Sequence, residues 1–96
     1  MVLPFGAQAQ LLQGTIDGNG TDSSQAAVIG ATVVAKSQGT NFVRQTTTNA
    51  AGAYDLPGLP PDTYSITVTT PGFQNYVQTG VSVTANTIRR VNATLV

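Results

Sequence analysis

Acid–base or metal chemistry in this chain would have to come from very few side chains. The sequence contains no histidine, no cysteine and no glutamate. What remains is Asp17, Asp22, Asp55, Asp62, Lys36, three arginines and three tyrosines. The densest group of oxygens lies in the stretch IDGNGTD, from Ile16 to Asp22. There Asp17, Asn19 and Thr21 take the first, third and fifth positions of an EF-hand-like loop, a hard-oxygen pattern that suits calcium. Asp22, however, stands where that loop needs glycine, and Val28 stands where it needs an acidic residue. Calcium is left with too few charged ligands, and zinc lacks nitrogen and sulfur donors altogether. Asp55 and Asp62 flank a proline-rich segment and read as solvated charges, not as a general acid and base. The chain therefore reads as non-enzymatic, with no cofactor and no metal.

Two other readings of IDGNGTD compete. Asn19-Gly20 is a strong hairpin turn signal when apolar alternation flanks it, but the polar run Thr21–Gln25 offers no return strand. The remaining reading is a strand that is short of core side chains. On alternation Leu12, Gly14, Ile16, Gly18 and Gly20 share the inward face, and three of these positions carry no side chain. An unfilled slot there would cost about 1–3 kcal/mol.

The elements around this stretch read as short strands between turn signals. The expected strands are Leu11–Asp17, Val28–Lys36, Phe42–Thr48, Ala53–Leu56, Tyr64–Thr70, Gln74–Val83 with a bend at Gly80, and one from about Val91 to Leu95. Alternation is clearest where Tyr64, Ile66 and Val68 face inward while Ser65, Thr67 and Thr69 face water. Pro57-Gly-Leu-Pro-Pro61 is expected to interrupt both helix and ladder. No segment holds a helical period. The expected fold is all-β, a seven-stranded and mostly antiparallel Greek-key β-sandwich over residues 14–96, preceded by an extended N-terminal arm over residues 1–13.

Composition narrows the partners. Ninety-six residues make one domain with a modest core. Charged residues are only 8 % of the chain and the formal net charge is zero, so there is no basic face for nucleic acid and little repulsion between copies. No apolar run approaches the ~20 residues of a membrane-spanning helix. Ala7-Gln8-Ala9 resembles a signal-peptidase site, so the arm reads either as the remnant of a secretory signal or as a flexible extension. Arg89-Arg90 is not a patch, because neighbours in a strand point to opposite faces. Asn19-Gly-Thr21 and Asn92-Ala-Thr94 match the glycosylation sequon, which recurs by chance in a threonine-rich chain. Phe73 and Tyr76 read as core or edge residues rather than a sugar platform.

From about Gly14 to Val96 the chain resembles a carboxypeptidase regulatory-like domain, a prealbumin-like sandwich related to Cna-B modules. The matching pieces are Gly14-Thr-Ile-x-Gly18, Thr21-Asp-Ser-Ser, Ala27-Val-Ile-Gly-Ala-Thr-Val33, Thr46-Thr-Thr-Asn-x-x-Gly52-x-Tyr54, Leu56-Pro-x-Leu-Pro-Pro-x-Thr-Tyr64 and Pro71-Gly-Phe73. The resemblance implies a non-catalytic module, found beside carboxypeptidases, in surface proteins and at the N-terminus of TonB-dependent outer-membrane receptors. The chain departs from the family at Asp62, where glycine is usual, and at Asn19 and Gly20, where the family's first strand continues with threonine and valine. Cna-B relatives can carry a Lys–Asn isopeptide crosslink. Lys36 and Asn92 are the conceivable pair, but both lie at outward parity.

The functional expectation is a secreted structural module, extracellular or at the cell surface, that associates with other copies of itself into a filament or multimer. Its expected assembly contacts are Val2, Leu3, Phe5, Leu11 and Leu12 of the arm, with Gly18 and Gly20 of the short-sided strand. The alternative is an accessory domain of an outer-membrane receptor, periplasmic and partnered by outer-membrane or cell-surface proteins.

Overall fold

The computed structural model describes residues 12–96. Val2, Leu3, Phe5 and Leu11 lie outside the described residues, as does most of the expected arm. Eight strands follow in order: β1 (Gly14–Asp22), β2 (Thr32–Ser37), β3 (Val43–Thr47), β4 (Ala53–Leu59), β5 (Asp62–Thr69), β6 (Tyr76–Val83), β7 (Ile88–Arg90) and β8 (Ala93–Leu95). They form two four-stranded sheets. One has the order β3-β2-β5-β6, and in the other β1 is flanked by β4 on one side and by β7 and then β8 on the other.

The inward sets of the two sheets make one core. Ile16, Tyr54, Leu56, Leu59, Ala93 and Leu95 from the first sheet meet Val33, Ala35, Tyr64, Ile66, Val68, Val81 and Val83 from the second, and all are buried. This is the alternation expected of two half-buried antiparallel faces. Phe42, Phe73 and Tyr76 pack against the margin of that core, partly buried.

Three expectations change. First, β4 does not stop at Leu56 but runs through Pro57 and Gly58 to Leu59. β1 moves from Ile16 to Gly14 while β4 moves from Leu56 to Leu59, so a bulge absorbs the extra residue, with Gly58 at φ +72. A proline is tolerated there because β4 is an edge strand and the missing amide faces no partner. β6 makes the same adjustment beside Gly80, which is also at φ +72 and marks the expected bend.

Second, the last expected strand is two strands, β7 and β8, and both join β1 in parallel. The ladder breaks between them because the Val91 carbonyl turns inward. The Val91 amide still donates to the Asp17 carbonyl at 2.8 Å. The Asn19 amide, left without a main-chain acceptor, donates to Asn92 Oδ1 at 3.0 Å.

Third, IDGNGTD is continuous strand, so the first strand begins later than expected and extends to Asp22. Gly14, Ile16, Gly18 and Gly20 face inward as the alternation requires, whereas Leu12 is exposed.

Candidate functional site

The slot expected from the missing valine is at Gly20; Gly18, two residues before it on the same face, has no free space. A Cβ there would overlap the Val91 carbonyl and lie 3.0 Å from the Tyr54 hydroxyl. Tyr54 Oη donates to that same carbonyl at 2.5 Å, so glycine lets a backbone group and a phenol fill the space of a missing side chain. Gly14 is similarly packed against Val83 and the Thr84 carbonyl. Gly20 is different, since a Cβ there would meet Thr48 Cγ2 at 3.7 Å and the Gly52 carbonyl at 3.9 Å, both ordinary contacts. Because β1 is flanked on both sides, Gly18 and Gly20 line the core and present no edge.

Thr48 closes the wall beside Gly20. Its buried Oγ1 accepts the Ala31 amide at 2.9 Å and donates to the Val28 carbonyl at 2.6 Å. Its main chain bonds the same neighbourhood, to the Ala31 carbonyl and the Gly30 amide. One threonine thus satisfies a loop that enters the core without a ladder partner. Among 15 threonines its one sequence signal is its place in the family-like piece Thr46-Thr-Thr-Asn49, which does not reveal its hydrogen bonds.

Three of the four aspartates are engaged structurally, and Asp55 is exposed. Asp22 Oδ1 accepts the Ser24 hydroxyl at 2.7 Å, the Ser24 amide at 2.9 Å and the Ala26 amide at 3.0 Å. The Ser24 hydroxyl first, and then the Ala26 amide, hold this carboxyl below the usual aspartate range. Asp17 pairs with Arg90 at 3.2 Å on the outer face, an exposed contact worth about 0–1 kcal/mol. Asp62 accepts the Gly39 and Thr63 amides. Among the described residues no three acidic side chains gather as a metal site. Lys36 lies on β2 and Asn92 at the edge of the opposite sheet, so the conceivable crosslinking pair is not brought together.

What the structure does bring together are the two seams where the sheets meet. On one side Arg44, exposed but at the inward parity of edge strand β3 opposite Ala35, donates to the Gly58 carbonyl of β4 at 3.4 Å, its guanidinium 5.3 Å from the Phe42 ring centre. On the other side Arg89, at the inward parity of β7, donates to the Ser82 carbonyl of β6 at 3.0 Å. Two of the chain's three arginines therefore bridge one sheet edge to the other. Inward charges of this kind also disfavour pairing with a foreign strand. The sequence placed Arg89 and Arg90 on opposite faces but gave no signal that Arg44 and Arg89 do the same work at opposite seams.

Two tyrosines anchor the remaining joints. Tyr64 Oη donates to the Pro60 carbonyl four residues upstream at 2.5 Å, and Tyr54 holds Val91 as described. Burial, and then the charges of Asp17 and Tyr76, push the Tyr54 phenol far above its ordinary value. Burial and then Asp62 raise Tyr64, against a lowering by Arg44. A folded state that keeps these protons while the unfolded chain loses them near pH ~10 is destabilised as pH rises beyond that point. Stability from chemical denaturation is expected to be level up to about pH 9.5 and then to fall. The slope reaches at most about 1.4 kcal/mol per pH unit for each tyrosine. Tyr54→Phe, though less stable at neutral pH, should show a shallower decline; an unchanged slope would remove Tyr54 from the account.

The chain belongs to the carboxypeptidase regulatory-like domain family, whose match spans residues 15–96. No curated protein matches it in sequence. Among solved structures it is similar to the Bacillus anthracis TIE protein at TM-score 0.73 and 18 % identity, over 86 % of this chain and 16 % of that one. It is also similar to the major pilin subunit BcpA of Bacillus cereus, at TM-score 0.64 and 14 % identity, covering 86 % of this chain and 29 % of the pilin. A third is the dioxygenase domain of a dioxygenase–carbohydrate-binding protein fusion from Streptomyces sp. SirexAA-E. There the TM-score is 0.65 and the identity 10 %, with 95 % and 84 % covered. At these identities the likeness establishes the fold alone. The chain spans less than a third of the first and second of these proteins.

Proposed function

We propose that this protein is a non-catalytic structural module, secreted to the cell surface or beyond, that assembles with other copies of itself by adding its N-terminal segment as a strand to a neighbour. The observation that carries this reading is a core closed without that segment. Residues from Ile16 to Leu95 bury one another, and the glycine positions facing Val91 and Val83 leave no slot for further side chains. In sequence, the apolar residues Val2, Leu3, Phe5 and Leu11 precede Leu12, which is 59 % exposed. The surface is nearly uncharged, and the described residues have no concave pocket. The resemblance to a pilin subunit supports the reading at the level of fold, as does the absence of histidine, cysteine and glutamate.

An arm that enters another subunit's edge makes a heterologous contact, which propagates into fibres unless the rotation between subunits closes a ring or the exchange is reciprocal. Negative-stain microscopy of the purified protein should show filaments or large multimers, and removal of residues 1–11 should leave monomers with an undiminished melting temperature. Filaments that persist after the truncation would exclude the arm. A second reading, an accessory domain of an outer-membrane receptor, is favoured by how small a part of TIE and BcpA the chain matches. It requires a native product far larger than 9.9 kDa, which an intact mass decides.

A further inference from the structure

If assembly proceeds through the arm, as proposed above, the sheet edges determine where the arm goes. β3 carries the inward Arg44, bonded across its seam to Gly58. β4 carries Pro57 and the Gly58 bulge, which break any continuous row of donors. β7 is three residues long with the inward Arg89, and β8, also three residues long, ends where the Val96 carbonyl accepts the Gln74 amide. That leaves β6. Its C-terminal part is engaged, since Arg89 takes the Ser82 carbonyl, but Tyr76–Thr79 carries no charge, no proline and no strand partner on its outer side among the described residues.

The outward groups of that segment follow from the ladder. Thr63 faces β2, its carbonyl accepting the Gln38 amide. Alternation along β5 then directs Tyr64, Ile66 and Val68 toward β6, where they pair with Val81, Gln78 and Tyr76. The amides and carbonyls of Val77 and Thr79 are therefore turned away from β5, toward the open edge. Val77 itself is 57 % exposed, and Tyr76 is a partly buried ring at the margin of the core, its hydroxyl toward Gln78 and Asn92.

The N-terminal segment fits that edge in sequence. Its odd positions Leu3, Phe5, Ala7, Ala9 and Leu11 are all apolar and its even positions are Pro4, Gly6, Gln8 and Gln10, a period of two with no charged side chain in which Pro4 alone lacks an amide donor, so residues 5–11 offer an unbroken row. Eleven residues reach up to about 36 Å when extended, more than the roughly 26 Å of an eight-residue strand. We infer that the outer edge of β6 at Tyr76–Thr79 is the acceptor for residues 3–11 of a second copy of this chain, the odd positions covering the core margin at Tyr76.

The native chain has no cysteine, so crosslinking reads the contact directly. Chains carrying Ala7→Cys would be mixed in turn with chains carrying Val77→Cys on β6, Val43→Cys on β3 or Asp55→Cys on β4. A short thiol crosslinker is added, and the covalent dimers are digested and mapped by mass spectrometry. A join between positions 7 and 77 is expected, at least tenfold more abundant than between 7 and 43 or 7 and 55. A dominant join to 43 or 55 overturns the β6 assignment and leaves arm exchange standing. Absence of any join to position 7 in samples that form filaments overturns arm exchange itself. A 7–77 join found only when both substitutions sit in one chain shows that the occupant is the chain's own arm, and overturns the exchange between copies. As an independent check, Gln78→Arg places on β6 the inward charge that guards the other edges. It should raise the concentration needed for assembly at least tenfold while the monomer melts as before; unaltered assembly would count against the β6 edge.

Discussion

Replacing Gly18 with alanine is expected to destabilise the fold by about 3 kcal/mol or more, because the added methyl has no room beside the Val91 carbonyl and the Tyr54 hydroxyl. In a domain of this size that corresponds to a drop in melting temperature of roughly 12–24 °C. The obstruction is backbone from the parallel junction, not the end of a flexible side chain, so it yields only if β7 and β8 move away from β1. Such a movement would also sever the bond between Tyr54 and Val91. The control is Gly20→Ala, two residues along the same strand on the same face. Its methyl meets Thr48 and Gly52 at ordinary distances, and the change should be neutral or stabilising by about 0.4–1 kcal/mol through the unfolded chain. Calorimetry of the two variants tests the assignment, and equal effects at both positions would refute it.

Thr48→Val should be nearly as damaging, despite preserving shape. The hydroxyl is both acceptor for Ala31 and donor to Val28 inside the protein, and valine leaves both main-chain groups buried without partners. Each such group costs about 1–3 kcal/mol, so a loss of about 2–6 kcal/mol is expected in urea denaturation. Thr48→Ser, which keeps the hydroxyl and removes one methyl, should cost only about 1 kcal/mol. If serine were the worse of the two, packing against Gly20 rather than hydrogen bonding would be what Thr48 supplies.

Both residues show which parts of the structure the sequence made legible. Period-two alternation placed Ile16, Val33, Tyr64, Ile66, Val68, Val81 and Val83 correctly, since burial of alternate side chains is a local pattern. The inward parity of Gly18 and Gly20 was legible for the same reason. What filled the space at Gly18 was not, because it comes from Val91, far along the chain and paired in parallel. The bulge at Pro57-Gly58 was misread as a break because a proline's effect depends on whether its strand is an edge. That is a property of the sheet, not of the segment. The seam contacts of Arg44 and Arg89 were invisible for a similar reason. An inward charge on an edge strand is recognisable only once the edges are known. Of the proposed assembly surface, the apolar arm is plain in the sequence, whereas the β6 edge could be proposed only once the strand order and the other edges were known.

The position of β1 has a further consequence, for the order in which the molecule can form. The first strand is completed by the last two, and the bond from the Asn19 amide to Asn92 spans 73 residues of chain. Until Ile88–Val96 have been made, β1 has one bare flank and Gly18 faces an empty space. Contacts so distant in sequence are formed late and slowly. The sandwich therefore cannot close around β1 before Ile88–Val96 are in place, and these residues act as the latch that shuts it.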